Sequence, residues 1–397
     1  MSLLLVLACL QQGELEWSSL PPLADGRGFG GMFAGVVGPE ETLLAAGGAD
    51  FPKAPPWEGG EKVWTNRVWA LDGPEGNWEA VGQLPIPMAY GSSIPWRNGF
   101  LLVGGRDREG SIASVIGLSF DGEVLSFVEF PPLPRPSSFH CAGKIGNSLF
   151  LLPGQSDADG RDLTAEFWSL NLDQPAQGWQ MEAPCPGGFR IKAAATVQTL
   201  GDGREGFFVF GGELPDEGIL SDAWAFLPGE GWRALADLPA PKAAAGIHPA
   251  GQSHILLFSG DDGSLRGTPQ DQHPGFSSEV LSYHTITDTW TRVGSMPEGV
   301  VTVPMVSWKG SLVLISGEIR PGVRTPSVIA ANLPKGGGGL QSLDLLILAL
   351  YLLLLVGMGV HFARRTRASQ DFFLAGRRIP GWAAGLSIFG TQLSAIT

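Results

Sequence analysis

Six times along this chain an apolar strand runs directly into a pair of small residues. The first residue of each pair is a glycine or a serine, at Gly47, Gly104, Gly154, Gly211, Ser259 and Ser316. Successive pairs are therefore 57, 50, 57, 48 and 57 residues apart. A period near 50 residues leaves room for four short strands in each repeat, which is typical of the blades of a β-propeller. The spacing predicts an all-β fold built from six repeats.

A second landmark counts the same repeats independently. It is a strand that begins with tryptophan and ends in an apolar residue followed by proline. Strands of this kind begin at Trp78, Trp179, Trp232 and Trp290. The last repeat lacks such a strand, but a matching one begins at Trp17, before the first repeat. We therefore predict a six-bladed propeller of the kelch type over residues 14–333, closed by an N-terminal strand that removes both sheet edges.

The composition fits this fold and limits the partners. The chain contains 57 Gly and 31 Pro in 397 residues, which suits many short strands joined by tight turns. A formal net charge of -13, without a basic patch in the propeller, argues against binding to nucleic acid. Three cysteines are too few for a disulfide framework, and the histidines do not show the spacing of metal ligands. We expect the propeller to need no metal and no other cofactor.

The first residues form a short apolar run, MSLLLVLACL. Residues 1–12 resemble a brief signal peptide, although a basic segment is missing at the start. Cys9 follows Val-Leu-Ala, which faintly resembles the cleavage site of a lipoprotein, and the sequence does not decide whether Cys9 is lipidated. A signal peptide would place the propeller outside the cytoplasmic membrane.

A second apolar run lies near the C-terminus. A glycine-rich linker at 334–343 precedes residues 344–363, which are almost free of polar side chains. At about 1.5 Å per residue, a helix of this length reaches across a bilayer core of about 30 Å. We predict a transmembrane helix at 344–363, and a buried helix of a soluble domain is the alternative. Because five arginines lie between 364 and 378, we expect a cytoplasmic loop at 364–380 and a propeller on the outer side of the membrane.

The residues from Asp371 onward, DFFLAGRRIPGWAAGLSIFGTQLSAIT, resemble the start of the sodium:solute symporter family. In that family a second helix is broken near its middle and offers backbone carbonyls to Na⁺, which implies this role for Gly390 and Leu393. In members that transport sialic acid, hydroxyls after the break face the substrate carboxylate, which implies this role for Ser394 and Thr397. Close packing against neighbouring helices is an equal alternative for Ser394.

The sequence stops inside that second helix, at 381–397. Transport by alternating access needs two repeats of broken helices around a central site. We therefore expect transport to require the remainder of the symporter, and the sequence to be a fragment or the product of a truncated gene. The transported solute is not identified.

Two carboxylates follow directly after small pairs, where the loops of a propeller gather around its channel. They are Glu213 in FGGELPDEG and Glu318 in ISGEIRPGVRT. Arg324 follows Glu318 in the same short loop, so the two side chains form either a simple ion pair or part of a site. Arg190 opens the inner strand of the fourth repeat, and we expect it either to contact an anion in the channel or to lie in water.

Three motifs, GGADFP (47–52), PPWEGGEKVW (55–64) and GEIRPGVRT (317–325), resemble those of the sialic acid mutarotases, in their cyclically permuted branch. The resemblance implies that Glu318 is the acid/base and that Arg324 binds the substrate. The permutation explains why the last motif falls in the last blade. A single carboxylate can remove the anomeric proton and return a proton to the ring oxygen, while a guanidinium binds the sugar's own carboxylate. Arg190 and Glu213 are further candidate substrate contacts.

The sequence thus predicts an extracytoplasmic mutarotase of N-acetylneuraminate or a related acidic sugar, tethered to a sodium-coupled symporter of sugar acids. The alternative is a propeller that binds a sugar or a protein without chemistry. A sialidase is disfavoured, because the Asp-box pattern is absent and no separated pair of carboxylates is evident. The sequence does not decide which acidic sugar is bound.

Overall fold

The computed structural model describes residues 15–24, 26–156, 164–215, 217–332 and 342–365. The predictions for residues 1–12 and for 366–397, which include Gly390, Leu393, Ser394 and Thr397, lie outside the described residues. The chain divides after residue 334 into two units, and each is described by itself.

Six antiparallel sheets of four strands make up the first unit, so the predicted six-bladed all-β propeller is confirmed. In the following list the strand nearest the channel comes first. Blade 1 contains β2 (Phe33–Val37), β3 (Thr42–Ala46), β6 (Arg67–Leu71) and β7 (Glu79–Gln83); blade 2 contains β8 (Ser92–Trp96), β9 (Gly99–Val103), β10 (Val115–Phe120) and β11 (Leu125–Glu129); blade 3 contains β12 (Cys141–Ile145), β13 (Ser148–Leu152), β14 (Phe167–Asn171) and β15 (Gln180–Glu182). Blade 4 contains β16 (Ala194–Thr199), β17 (Glu205–Phe210), β20 (Ala223–Leu227) and β21 (Gly231–Leu235); blade 5 contains β22 (Gly246–Ala250), β23 (His254–Phe258), β24 (Glu279–His284) and β25 (Thr289–Ser295); blade 6 contains β26 (Met305–Trp308), β27 (Ser311–Ile315), β30 (Val328–Asn332) and β1 (Glu16–Leu20).

Shorter elements stand on the connections between these strands. The two-stranded hairpins are β4 (Ala49–Asp50) with β5 (Val63–Trp64), β18 (Glu213–Leu214) with β19 (Gly218–Ile219), and β28 (Glu318–Arg320) with β29 (Val323–Arg324). Single turns of 3-10 helix occur at Pro56–Glu58, Pro175–Gln177 and Gln270–Gln272. All three hairpins follow a small pair directly, so they belong to the same end of their blades.

The ring is closed by the N-terminal strand, as the sequence predicts. β1 pairs antiparallel with β30, from Glu16 opposite Asn332 to Leu20 opposite Val328. Trp17 holds the strand from a second side, because its Nε1 donates to the carbonyl oxygen of Ser295 at 2.9 Å. The outer strand of blade 6 therefore comes from the other end of the chain, and it pairs the backbone groups along the outer edge of β30.

Deletion of residues 1–20 is expected to make the protein associate. Without β1 the edge of β30 would expose a row of unpaired backbone donors and acceptors, which pairs readily with another chain. Size-exclusion chromatography over a range of concentrations would detect this association, with the full chain as control. A truncated protein that stays monomeric and melts at the same temperature would contradict it.

Large side chains of one blade fill room left by glycine in the blade before it. A Cβ on Gly35 of β2 would lie 2.3 Å from a ring carbon of Phe100 in blade 2. The same relation places Phe207 against Gly143, and Met305 against Gly246, in the other alternate blades. Since atoms cannot approach so closely, a larger residue at Gly35 or Gly143 would displace a phenylalanine ring of the next blade, whereas the flexible end of Met305 can move away from a larger residue at Gly246.

The small pairs adopt backbone angles that most side chains disfavour. The first member has a φ between 54° and 63° at Gly47, Gly104, Gly211, Ser259 and Ser316. The second member is glycine, as at Gly317, whose φ is 109°. In blade 3, Gln155 forms the β-bridge that the residue after the small pair forms in the other blades. The pair in this blade is therefore Pro153 and Gly154. The sequence prediction, which made Gly154 the first member of the pair, is one residue late.

The second unit contains α1 (Ser342–Arg365), where the sequence predicts an apolar helix. Among the residues that the structure describes, no helix has the length and apolar character needed to cross a membrane. The predicted transmembrane segment at 344–363 is therefore not supported.

Candidate active site at the mouth of the channel

A ring of six residues, one from each blade, surrounds one mouth of the channel. Each precedes an inner strand and has left-handed backbone, with φ from 52° to 66°, at Gly31, Tyr90, Phe139, Lys192, Ala244 and Thr302. The N–H of each ring residue donates to the carbonyl oxygen of the ring residue in the blade before it, at 2.7 to 3.2 Å, and Gly31 closes the circle by donating to Thr302. Left-handed backbone costs a residue other than glycine on the order of 1 to 3 kcal/mol, and such strain clusters at functional sites. We call these residues the mouth ring.

The residue that follows each small pair lies beside this ring. It forms a β-bridge with the residue just before the ring residue of its own blade, as Glu213 does with Ile191 and Glu318 with Val301. The equivalent residues in the other blades are Ala49, Arg106, Gln155 and Asp261. The structure thus brings Glu213 and Glu318, which the sequence singled out, to the same mouth in blades 4 and 6.

Glu318 and Arg324 face each other across the hairpin of β28 and β29, in which they are register partners. Nη1 of Arg324 lies 2.8 Å from Oε1 of Glu318. The N–H of Gly322, at the turn of the hairpin, donates to the same oxygen at 2.7 Å. Within the described ranges no hydrogen bond or ion pair reaches Oε2, so this second carboxylate oxygen is the one left to meet a ligand.

The side chain of Arg324 is almost fully enclosed, with 4% of its surface exposed. Its guanidinium carbon lies 5.3 Å from the centre of the Phe51 ring, and Nη2 donates to the hydroxyl of Tyr90 at 3.4 Å. Burial by itself lowers the pKa of Arg324, but the charge of Glu318 and the contact with Tyr90 raise it, and the net effect is a raised pKa. Arg324 is therefore a permanent, poorly hydrated cation at the mouth.

An insertion in blade 1 covers the Glu318 hairpin. The turn at Pro56–Glu58 packs on Gly322, where an added Cβ would lie 2.5 Å from Pro56. Trp57 of this turn stacks with Arg320, whose guanidinium carbon is 5.6 Å from its ring centre. The same insertion carries Lys62, whose ammonium lies 5.3 Å from the centre of the Tyr90 ring. The insertion thus excludes water from one side of the Glu318 and Arg324 pair.

Glu213 is held by two cations. Its Oε2 accepts from Nζ of Lys192 at 2.6 Å, and its Oε1 accepts from Nη2 of Arg266 at 2.7 Å. Lys192 belongs to the mouth ring, and its side chain is 34% exposed while that of Glu213 is 16% exposed. A direct role of Glu213 as a substrate contact stays a prediction, and Lys192 is the more accessible member of the pair.

Arg190 does not face the channel or the solvent, and both expectations for it are corrected. Its side chain is fully buried, and Nη1 and Nη2 donate to the two carboxylate oxygens of Asp222 at 2.9 and 2.7 Å. Nη1 and Nη2 also donate to the carbonyl oxygens of Gly211 and Gly187. These contacts use the guanidinium inside blade 4, so Arg190 is a structural residue.

Below the mouth ring lies a cavity of about 780 Å³ along the central channel. The inner strands of all six blades line it, together with Tyr90, Lys192 and Thr302 of the ring. Glu318 and Arg324 are not among the residues that line this cavity. In the described part of the chain, no group of three His, Cys, Asp or Glu side chains could hold a metal ion.

His140, which also lines the cavity, makes the stability of the fold depend on pH. Burial lowers the pKa of its ring to about 4 from an ordinary value of 6.5. Between those values the unfolded chain binds a proton that the folded protein does not bind, so the free energy of unfolding falls as the pH falls, by up to about 3 kcal/mol. Urea unfolding at pH 7 and pH 4.5 would measure this loss. Burial also lowers the pKa of His248, in the same cavity, to about 4. His140→Gln is therefore expected to reduce the dependence without abolishing it, and an unchanged slope in that variant would contradict the assignment.

Comparison of the sequence with known proteins finds similarity to one family of enzymes. A family model described as N-acetylneuraminate epimerase matches residues 6–127. This chain is similar to the N-acetylneuraminate epimerases. It is 32% identical over 130 residues to the one of Escherichia coli, covering 30% of this chain and 34% of that protein. It is 33% identical over 226 residues to the one of Haemophilus influenzae strain PittEE, covering 49% of this chain and 57% of that protein.

The chain is also similar, over a short stretch, to a membrane transport protein. The chain is 52% identical over 56 residues to a protein named sodium/sialic acid symporter NanT of Aliivibrio fischeri, which covers 14% of this chain and 11% of that protein. The chain spans about a third of the length of the E. coli epimerase and 57% of the H. influenzae one. The family model covers Phe51 and Tyr90 but ends before Glu318 and Arg324, so it does not test the roles that the resemblance implies for these two residues.

Proposed function

We propose that the propeller interconverts the anomers of N-acetylneuraminate or a related acidic sugar, with Glu318 as acid/base and Arg324 as the residue that binds the sugar's carboxylate. The observation that carries the proposal is the pair itself, a carboxylate and an enclosed guanidinium held together across a short hairpin beside the mouth ring. Similarity to proteins named N-acetylneuraminate epimerase supports it. The position of the pair in blade 6 also supports a cyclically permuted form of that fold.

The chemistry needs one proton carrier. Oε2 of Glu318 takes the proton of the anomeric hydroxyl, the O–H electron pair becomes the new carbonyl bond, and the bond between the anomeric carbon and the ring oxygen breaks. The ring oxygen takes a proton back from Glu318. Reclosure on the other face of the carbonyl reverses these steps and gives the other anomer. Protons and electrons balance within the sugar, so no redox cofactor is required for this exchange.

Arg324 supplies the fixed charge in this scheme. Its guanidinium binds a carboxylate through parallel hydrogen bonds, which orient the anomeric carbon because the carboxylate of N-acetylneuraminate is attached to that carbon. Enclosure by Phe51 and Tyr90 keeps competing water away and strengthens the attraction. The proposal thus requires an acidic substrate and predicts no acceleration for a neutral aldose.

The test is the rate at which the anomers of N-acetylneuraminate equilibrate, followed by NMR with and without the full chain in detergent. We expect clear acceleration for this sugar and none for glucose, whose anomers also equilibrate spontaneously. A rate equal to the spontaneous one would overturn the catalytic proposal. Binding of the acid without acceleration would favour the alternative of a sugar-binding module.

We also propose that the chain joins this propeller, on the outer side of the membrane, to the beginning of a sodium-coupled carrier of acidic sugars. The similarity to a sodium/sialic acid symporter supports this proposal, and Na⁺ would bind the complete carrier. Membrane fractionation of cells that express the full chain, with alkaline extraction, tests it. Retention of the full chain and release of a chain that ends at residue 334 are expected. Release of both proteins would overturn the tether.

A further inference from the structure

We propose that Phe139 and Lys192 of the mouth ring, together with Glu213, bind the polyhydroxy side chain of the substrate while its anomeric carbon lies at Glu318. We call these three residues the tail zone. The inference rests on the proposed function and adds the residues that select the length of the sugar acid.

Lys192 is an accessible cation at the mouth. Its side chain is 34% exposed, whereas that of Arg324 is only 4% exposed. In the part of the chain that the structure describes, the ammonium of Lys192 donates to a single acceptor, Oε2 of Glu213 at 2.6 Å. Because an ammonium carries three N–H donors, two of them are left to meet the oxygens of a ligand.

Glu213 adds an acceptor beside these donors. Its Oε1 accepts from Arg266 and its Oε2 from Lys192, but each carboxylate oxygen has a second lone pair. The Glu213 side chain keeps 16% of its surface exposed, so a ligand can reach it. An ammonium and a carboxylate side by side match two hydroxyls on neighbouring carbons, because each hydroxyl both donates and accepts.

Phe139 supplies an apolar surface next to this polar pair. Its ring is partly exposed and packs on the ring of Tyr90, with 4.7 Å between the centroids. The ammonium of Lys192 lies 6.0 Å from the centre of the Phe139 ring. A polyhydroxy chain alternates C–H and O–H groups, so it meets an aromatic surface and polar atoms at once. The backbone of Phe139 is also strained, with a φ of 53°, as is common at functional sites.

The spacing around the mouth ring places the tail zone at a useful distance from Glu318. Glu318 bridges Val301, directly before Thr302, and Thr302 and Lys192 are two ring positions apart. Residues joined by a backbone hydrogen bond have Cα atoms about 5 Å apart, so these two positions lie on the order of 9 Å from each other. Ala244 stands between them and presents only a methyl group. A pyranose ring with a three-carbon side chain matches this spacing better than a pyranose ring alone.

The test uses Lys192→Met, which removes the ammonium and keeps much of the length of the side chain. Calorimetry on the full chain would compare N-acetylneuraminate with its seven-carbon analogue, which keeps the ring and the carboxylate but has a one-carbon side chain. We expect the unchanged protein to bind N-acetylneuraminate about tenfold more tightly than the analogue, and Lys192→Met to bind both equally weakly. Lys144→Met, which removes another ammonium along the cavity, is the matched control and is expected to keep the tenfold difference.

Phe139→Leu extends the test to the aromatic surface and is expected to weaken N-acetylneuraminate several-fold without affecting the analogue. The same difference between the two acids in Lys192→Met and in the unchanged protein would overturn the tail zone. Equal binding of both acids by the unchanged protein, or binding of neither, would also overturn it. Accelerated anomer exchange without any difference between the acids would refute the tail zone alone. A difference that Lys192→Met abolishes, without acceleration, would support the tail zone and overturn only the catalytic proposal.

Discussion

Replacement of Glu318 by glutamine is expected to lower kcat for anomer exchange by about 100- to 10,000-fold, the usual contribution of a single acid/base. Glutamine retains the shape of the side chain and an oxygen for the N–H of Gly322, but it cannot take up the anomeric proton. KM for the acid is expected to change far less, because Arg324 supplies the charge that binds it. NMR exchange rates at saturating sugar give kcat directly.

A matched control for this variant is Asp261→Asn. Asp261 follows the small pair of blade 5 as Glu318 follows that of blade 6, but its Oδ1 accepts from the nearby N–H of Gly263. We expect this variant to retain the activity of the unchanged protein. Because loss of the Glu318 charge leaves Arg324 buried without its ion pair, circular dichroism should first establish that Glu318→Gln is folded. Full activity in a folded Glu318→Gln protein would refute the assignment of the acid/base.

Replacement of Asp222 by asparagine is expected to lower the free energy of unfolding by about 3 kcal/mol. The variant leaves the fully buried guanidinium of Arg190 with a neutral partner, and an uncompensated buried charge is strongly destabilising. Asp222 also accepts from Nε1 of Trp224 at 2.6 Å, so the substitution disturbs a small network rather than one bond. Urea unfolding monitored by tryptophan fluorescence would measure the change.

Two comparisons separate this effect from a general cost of losing a carboxylate. Asp202→Asn breaks an exposed ion pair with Arg204 and is expected to leave stability unchanged. The double variant Arg190→Met with Asp222→Leu removes both charges and is expected to be more stable than Asp222→Asn, although the carbonyl oxygens of Gly211 and Gly187 and Nε1 of Trp224 then lose these partners. An Asp222→Asn protein as stable as the unchanged one would show that Arg190 does not depend on this partner.

The fold could be predicted from the sequence because each blade needs the same kinds of residue at nearly the same spacing. Small pairs mark backbone with positive φ, and the tryptophan-led strands mark the outer edge, so both signals count blades without any knowledge of tertiary contacts. The closing strand at Trp17 was predictable because it supplied the one landmark that blade 6 lacked. The misplaced pair in blade 3 arose because Pro153 stands where the other blades have glycine or serine.

The candidate site was predictable only where its residues are close in sequence. Glu318 and Arg324 are six positions apart, and a short hairpin has to bring them together. Arg190 was misassigned because its partner Asp222 lies 32 positions away, directly before β20 of the same blade. Tyr90, Lys192 and Thr302 were missed because no local motif marks them. Their common signal, a position two or three residues before an inner strand, emerges only when the blades are aligned with one another.

In the mouth ring, the width of the aperture and the chemistry of its surface are set by different parts of the same residues. Backbone hydrogen bonds that pass from blade to blade fix the width of the aperture, and they do not depend on which side chains the ring carries. The side chains, from the aromatic ring of Phe139 to the ammonium of Lys192, then set what the aperture accepts. Such a propeller can therefore acquire a preference for a new ligand by exchanging a few ring residues, without rebuilding a blade.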